Sequence, residues 1–153
     1  MKLSEITTPS LIILDLQSTE RWSVIEEMVN WLVRQKCIDE AHREAVIQKI
    51  KKREKDLSTG IGFGVAIPHA DTDAIQKVTA ILGRSTKGVS FDSLDAQPVK
   101  LVVLFLVPLG QYTLHLKTLA IISRTLQDRS FREQAELAKT PDELYQAIVK
   151  QEG

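Results

Sequence analysis

Apolar positions along this 153-residue chain follow two periods, and the changes between them mark out its elements. Leu11-Ile12-Ile13-Leu14 is a short continuous run bounded by Asp15 and Ser18-Thr19, the pattern of a strand. From Glu20 to Gln35 the spacing turns helical: Trp22, Ile25, Met28, Val29 and Leu32 recur on one face, and Ser18 or Thr19 can cap the start. Trp31 lies ~180° around that helix from Trp22, so an exposed Trp31 would mark a contact surface. Asp39 can cap a second helix reaching about Glu54, with Ala41, Ala45, Val46 and Ile50 on one side and a basic end from Lys49 to Arg53.

The second half reads in the same way. Val65-Ala66-Ile67 is a brief apolar run that ends in Pro68-His69, followed by a polar turn, Asp71-Thr72-Asp73. Val78 to Leu82 predicts a strand stopping at the Gly83 to Gly88 region, and Val89 with Phe91 precedes a loop of Asp92, Ser93, Asp95 and Pro98. Val99 to Val107 is almost unbroken in apolar character, as in a central strand covered on both faces. Leu116, Leu119, Ala120, Ile122 and Leu126 predict a well-buried helix from Tyr112 to Gln127. Ser130 with Glu133, and Thr140 with Glu143, have capping-box spacing, and the last helix should bury Leu144, Tyr145, Ile148 and Val149. The expected architecture is α/β: a single domain over 1–153, a sandwich with a small mixed sheet flanked by helices on both faces.

Composition removes several functions. Twenty basic and twenty acidic residues balance, and no long like-charge block builds a nucleic-acid footprint. One cysteine, Cys37, and an N-terminus without a signal-peptide pattern imply a cytoplasmic protein. The most apolar run, Leu101 to Leu109, is far shorter than the ~20 residues that span a bilayer, so no direct membrane insertion is expected.

The stretch from Ser58 to Asp71 is what packing explains least. Gly60, Gly62 and Gly64 alternate, which implies backbone freedom or close backbone approach. A dinucleotide fingerprint would need glycine where Val65 stands, and a P-loop would need Gly-Lys-Ser/Thr where the chain has Val-Ala-Ile, so neither is supported. Backbone N–H groups in such a turn can still hold an anion, with Ser58 and Thr59 adding hydroxyls. A neutral imidazole beside that site can accept a phosphoryl group and pass it on. Arg53 lies just upstream, although a basic helix end is ordinarily solvated. His115 sits among apolar residues and, on pattern alone, reads first as a core histidine with a polar partner. His69, Asp71 and Asp73 share a face of an extended segment as metal ligands would, but nothing completes such a set, and no cofactor is expected.

Arg53-Glu54-Lys55, then Ser58-Thr59-Gly60-Ile61-Gly62 and Ala66-Ile67-Pro68-His69, resembles the active-site pattern of the fructose/mannitol-type enzyme IIA proteins of the bacterial phosphotransferase system. The resemblance continues through Phe91-Asp92, the Leu101 to Pro108 run, His115-Leu116 and Asp142-Glu143-Leu144, and is strongest to the nitrogen-regulatory branch. Many members have glycine where this chain has Ala70. The resemblance implies that His69 accepts a phosphoryl group from phosphorylated HPr or its paralogue and donates it to an enzyme IIB partner. It also implies that His115 orients the acceptor or bonds phosphoryl oxygens, that Arg53 stabilises their charge, and that Ser58, Thr59, Gly60 and Gly62 line the phosphate site. The alternative it carries is a regulator whose phosphorylation switches a protein target, without sugar transport.

Overall fold

The computed structural model describes residues 1–153. Its strands are β1 (Ile12–Ile13), β2 (Gly60–Gly62), β3 (Val65–Ala66), β4 (His69–Thr72), β5 (Thr79–Val89) and β6 (Val99–Pro108). Its helices are α1 (Leu3–Ile6), α2 (Arg21–Arg34), α3 (Arg43–Asp56), α4 (Tyr112–Gln127), α5 (Arg129–Leu137) and α6 (Pro141–Glu152).

The apolar run near residue 100 becomes β6, the spine of a mixed six-stranded sheet ordered β1-β5-β6-β3-β2, with β4 also paired to β6. Side chains alternate across a strand, so β6 serves two cores. Val103, Phe105 and Val107 pack with Ile122, Leu126, Phe131, Leu144 and Ile148 of α4 to α6. Val102, Leu104 and Leu106 pack with Ile25, Met28, Leu32, Val46 and Ile50 of α2 and α3. Each such side chain contributes about 1.5–3 kcal/mol on leaving water. This is the expected sandwich with helices on both faces. None of the helices is long and apolar enough to cross a membrane.

The edge of β6 carries β3 and then β4, interrupted at Ile67-Pro68. Pro68 has no N–H to continue the ladder, so its carbonyl accepts from Phe105 N–H (3.1 Å) and pairing resumes at His69 opposite Phe105. Asp71 and Thr72, expected in a polar turn, are therefore strand residues. Between β2 and β3 the chain reverses at Phe63 and Gly64, both with positive φ (59° and 74°). A bulky residue in that region is uncommon.

Several local expectations change. Glu20, not Ser18 or Thr19, caps α2 by accepting from Ser23 N–H, and Asp39 caps a 3-10 turn ahead of α3. Asp128, not Ser130, caps α5. Thr140 caps α6 as expected, while the Glu143 carboxylate reaches Lys139 N–H at 2.5 Å. β5 does not stop at Gly83, because there glycine permits close approach: a Cβ would lie 2.8 Å from a Leu16 methyl. Trp31 is half-buried, donating to Ser10 O (2.8 Å) under the Arg34 guanidinium, so it does not form the contact surface considered. Cys37 is half-buried at the margin of the α2/α3 core. Val149 is exposed, as are Leu116 and Tyr112 on the first turns of α4.

Candidate active site

Three elements bring His69, His115 and Arg53 together: the start of β4, the first turn of α4 and the last turn of α3. His69 is buried, and its ring stacks on Phe105 with centroids 4.9 Å apart and planes 13° from parallel. His115 meets it edge-on at 4.9 Å and 76°. His69 Nδ1 lies 2.6 Å from Ile67 O, a carbonyl that can only accept, so Nδ1 carries the proton and Nε2 keeps its lone pair. Burial lowers the His69 pKa to about 4, helped by the charges of His115 and Arg53 and opposed by the Ile67 bond. The His115 pKa is also lowered, by burial first and Arg53 second, with Asp71 opposing. Both imidazoles are thus neutral near pH 7.

Two depressions meet at His69. One, of about 270 Å³, is lined by Lys49, Arg53, His69, Ala70, Asp71, Tyr112 and His115. The other, of about 200 Å³, is bordered by Arg53, His69, Ser58, Thr59, Gly60 and apolar side chains including Leu57, Leu94 and Leu119. Gly62 borders neither; a Cβ added there would lie 3.5 Å from Asp95 Oδ2. Arg53 Nη1 donates to Leu57 O (2.8 Å), which fixes the guanidinium at the helix end between the two. A larger hollow of about 590 Å³, among Arg84, Lys100, Arg129 and Arg132, contains no histidine.

The glycine hairpin differs from the expected anion cradle. Thr59 is buried; its N–H donates to both Glu54 carboxylate oxygens (3.1 Å each) and its hydroxyl to Oε1 (2.5 Å). Gly60 N–H donates to Ser58 Oγ (3.1 Å). Those donors are satisfied inside the chain, and Ser58 retains its own O–H. Sequence reasoning missed Glu54, which is 1% exposed and also pairs with Arg21 Nη1 at 3.1 Å. A carboxylate buried without partners would be costly, so this triad pins the loop leaving α3. An acid within a basic run was the available signal. Phe105, Lys49 and Asp71 were also unassigned.

Apolar side chains border both depressions: exposed Leu57 and Leu94 with Leu119 at one, and exposed Tyr112 at the other, while Leu116, next to His115 in sequence, is exposed as well. Leu119 is the half-buried member of this set. Apolar surface around a shallow polar site is the pattern of a surface that meets another protein.

A family model described as phosphoenolpyruvate-dependent sugar phosphotransferase system, EIIA 2, matches residues 5–151. The chain is 34% identical over 151 residues to the PTS system fructose-specific EIIA component of Haloferax volcanii, covering 97% of each. It superposes on the nitrogen regulatory protein IIA-Ntr from Neisseria meningitidis with TM-score 0.85 and 29% identity, covering 95% of this chain and 98% of that one. The enzyme IIAMTL in complex with phosphorylated enzyme IIBMTL from Escherichia coli shares the fold (TM-score 0.76, 19% identity, 92% and 95% coverage). The chain therefore belongs to the EIIA 2 family of the phosphoenolpyruvate-dependent sugar phosphotransferase system.

Proposed function

We propose that this chain is a phosphoryl carrier whose acceptor atom is His69 Nε2. The observation that carries the reading is the Nδ1 to Ile67 O bond at 2.6 Å, which fixes one tautomer and leaves one nucleophilic nitrogen. The Nε2 lone pair forms a bond to phosphorus as the P–N bond of the donor phosphohistidine breaks, and the donor imidazole leaves with that electron pair. Nδ1 keeps its proton throughout, so the product is an imidazolium bearing a phosphoryl dianion. The Ile67 carbonyl and the Phe105 face stabilise the positive ring. Arg53 and a His115 N–H neutralise the oxygens, as phosphoryl transfer requires little beyond positioning and charge stabilisation. Ser58 supplies the hairpin's remaining hydroxyl donor; Thr59, Gly60 and Gly62 act by holding shape.

The donor is a phosphorylated HPr-type protein and the acceptor an enzyme IIB domain, docked on the apolar rim. The test is incubation with phosphorylated HPr-type protein, then with IIB. Label on His69 that moves onward supports the carrier. The 0.85 superposition on a nitrogen regulatory protein favours a second reading, in which label stops at His69 and the new charge switches a docked target. No label on His69 sinks both.

A further inference from the structure

α3 packs along β4, and the two elements match in spacing. Lys49 and Arg53 are one turn apart on the same side of α3, ~6 Å along its axis. Asp71 and His69 are alternate residues on one face of β4, ~6.6 Å apart. Lys49 Nζ donates to Asp71 Oδ1 at 3.2 Å, while Arg53 borders His69 in both depressions. The elements thus run antiparallel with two cations facing an acid and the acceptor. Both members of the Lys49–Asp71 pair are close to half exposed (44% and 47% of side-chain area).

We propose that Lys49 is a second phosphoryl-binding cation, parked on Asp71 in the unphosphorylated protein and drawn to the phosphoryl oxygens once they arrive on His69. This rests on the reading of His69 as acceptor. An exposed pair of this kind contributes ~0–1 kcal/mol, so Asp71 holds Lys49 weakly. A phosphoryl group brings a charge of about −1.5 to −2 and three acceptor oxygens into the same depression, which outcompetes a single carboxylate. The flexible Lys49 stem allows the move. Arg53, tied to Leu57 O, stays fixed. The depression then has one rigid and one mobile cation, and Lys49 reports the phosphorylation state on the surface where a partner docks.

The test uses the full chain with phosphoramidate, a small donor that needs no protein partner. Its P–N bond breaks, ammonia leaves, and the P–Nε2 bond forms, so the phosphohistidine fraction is read by ³¹P NMR at a fixed phosphoramidate-to-ammonia ratio. Lys49→Met is expected to lower the equilibrium constant about fivefold, the size of one net hydrogen bond at a solvent-accessible site, and to shift the ³¹P resonance. Lys49→Arg should restore both. Asp71→Asn, which releases Lys49 and removes a like charge, should raise the constant. A Lys49→Met protein with the wild-type constant and resonance, or one that Lys49→Arg fails to rescue, overturns the role of Lys49 while leaving His69 as acceptor. Wild-type protein that forms no phosphohistidine overturns the acceptor reading and this inference together.

Discussion

The two depressions that meet at His69 share Arg53 and little else. The α4 side holds His115, Lys49 and Asp71, three ionisable groups around His69. The hairpin side holds Leu57, Ile61, Leu94 and Leu119, and its backbone donors are consumed by Glu54 and Ser58. A glycine-rich turn beside a proposed phosphoryl acceptor is thus not an anion cradle by default. Here the ionisable groups come from α3, α4 and β4, and the glycines let an apolar hairpin lie close to them.

Substitutions on each side should separate these roles. His69→Ala removes the atom common to both and is expected to abolish acid-labile label from an HPr-type donor; full label in that variant would move the acceptor elsewhere. Glu54→Ala leaves Arg21 and the Thr59 N–H without their shared acceptor and should cost about 3 kcal/mol in denaturant unfolding. An unchanged midpoint would remove the clamp from the hairpin side.

Acid should act at the centre the two sides share. The folded His69 pKa of about 4 lies below its ordinary 6.5, so between those values the unfolded chain binds more protons and stability is lost as the pH is lowered. From pH 7 to pH 5 the loss attributable to His69 is about 2 kcal/mol. Comparing unfolding of wild type and His69→Gln at both pH values checks this, since the variant should lack that share of the decline. His115→Ala should keep the label but slow transfer about tenfold, because the lost group orients and stabilises without reacting. Wild-type transfer would make His115 a core histidine. The smallest effect is expected from Leu94→Ser, which should slow labelling by the protein donor about fivefold, as truncation at an interface does, yet leave labelling by phosphoramidate unchanged. Equal effects on both donors would place Leu94 in the chemistry instead of in docking.

What the chain discloses locally was legible in its sequence. β6 announces itself by an unbroken apolar run, α2 by its helical period, and α6 by Thr140. Errors arose where a local cue has two meanings. Gly83 reads as a strand end, yet serves close packing against Leu16. The apolar residues of α4 read as buried, yet Leu116 is exposed. Pairings between distant residues were not legible: Glu54 meets Arg21 across 33 positions, and Lys49 meets Asp71 across 22. The resemblance carried His69, His115 and Arg53 as a set, but the engaged donors of the hairpin follow only from coordinates.

The pairing of His69 with Phe105 makes errors at this site discrete. A strand slips by whole residues, and one step turns every side chain to the opposite face. A shift of β4 by one position would send the His69 ring into the α2/α3 core, away from Phe105, and bring Ala70 out in its place. Slightly misaligned His69 rings are therefore not among the states that strand slippage makes available. A population of this protein should divide into competent molecules and inert ones, so a destabilising substitution far from the site should lower the active fraction without changing the rate of the molecules that remain active.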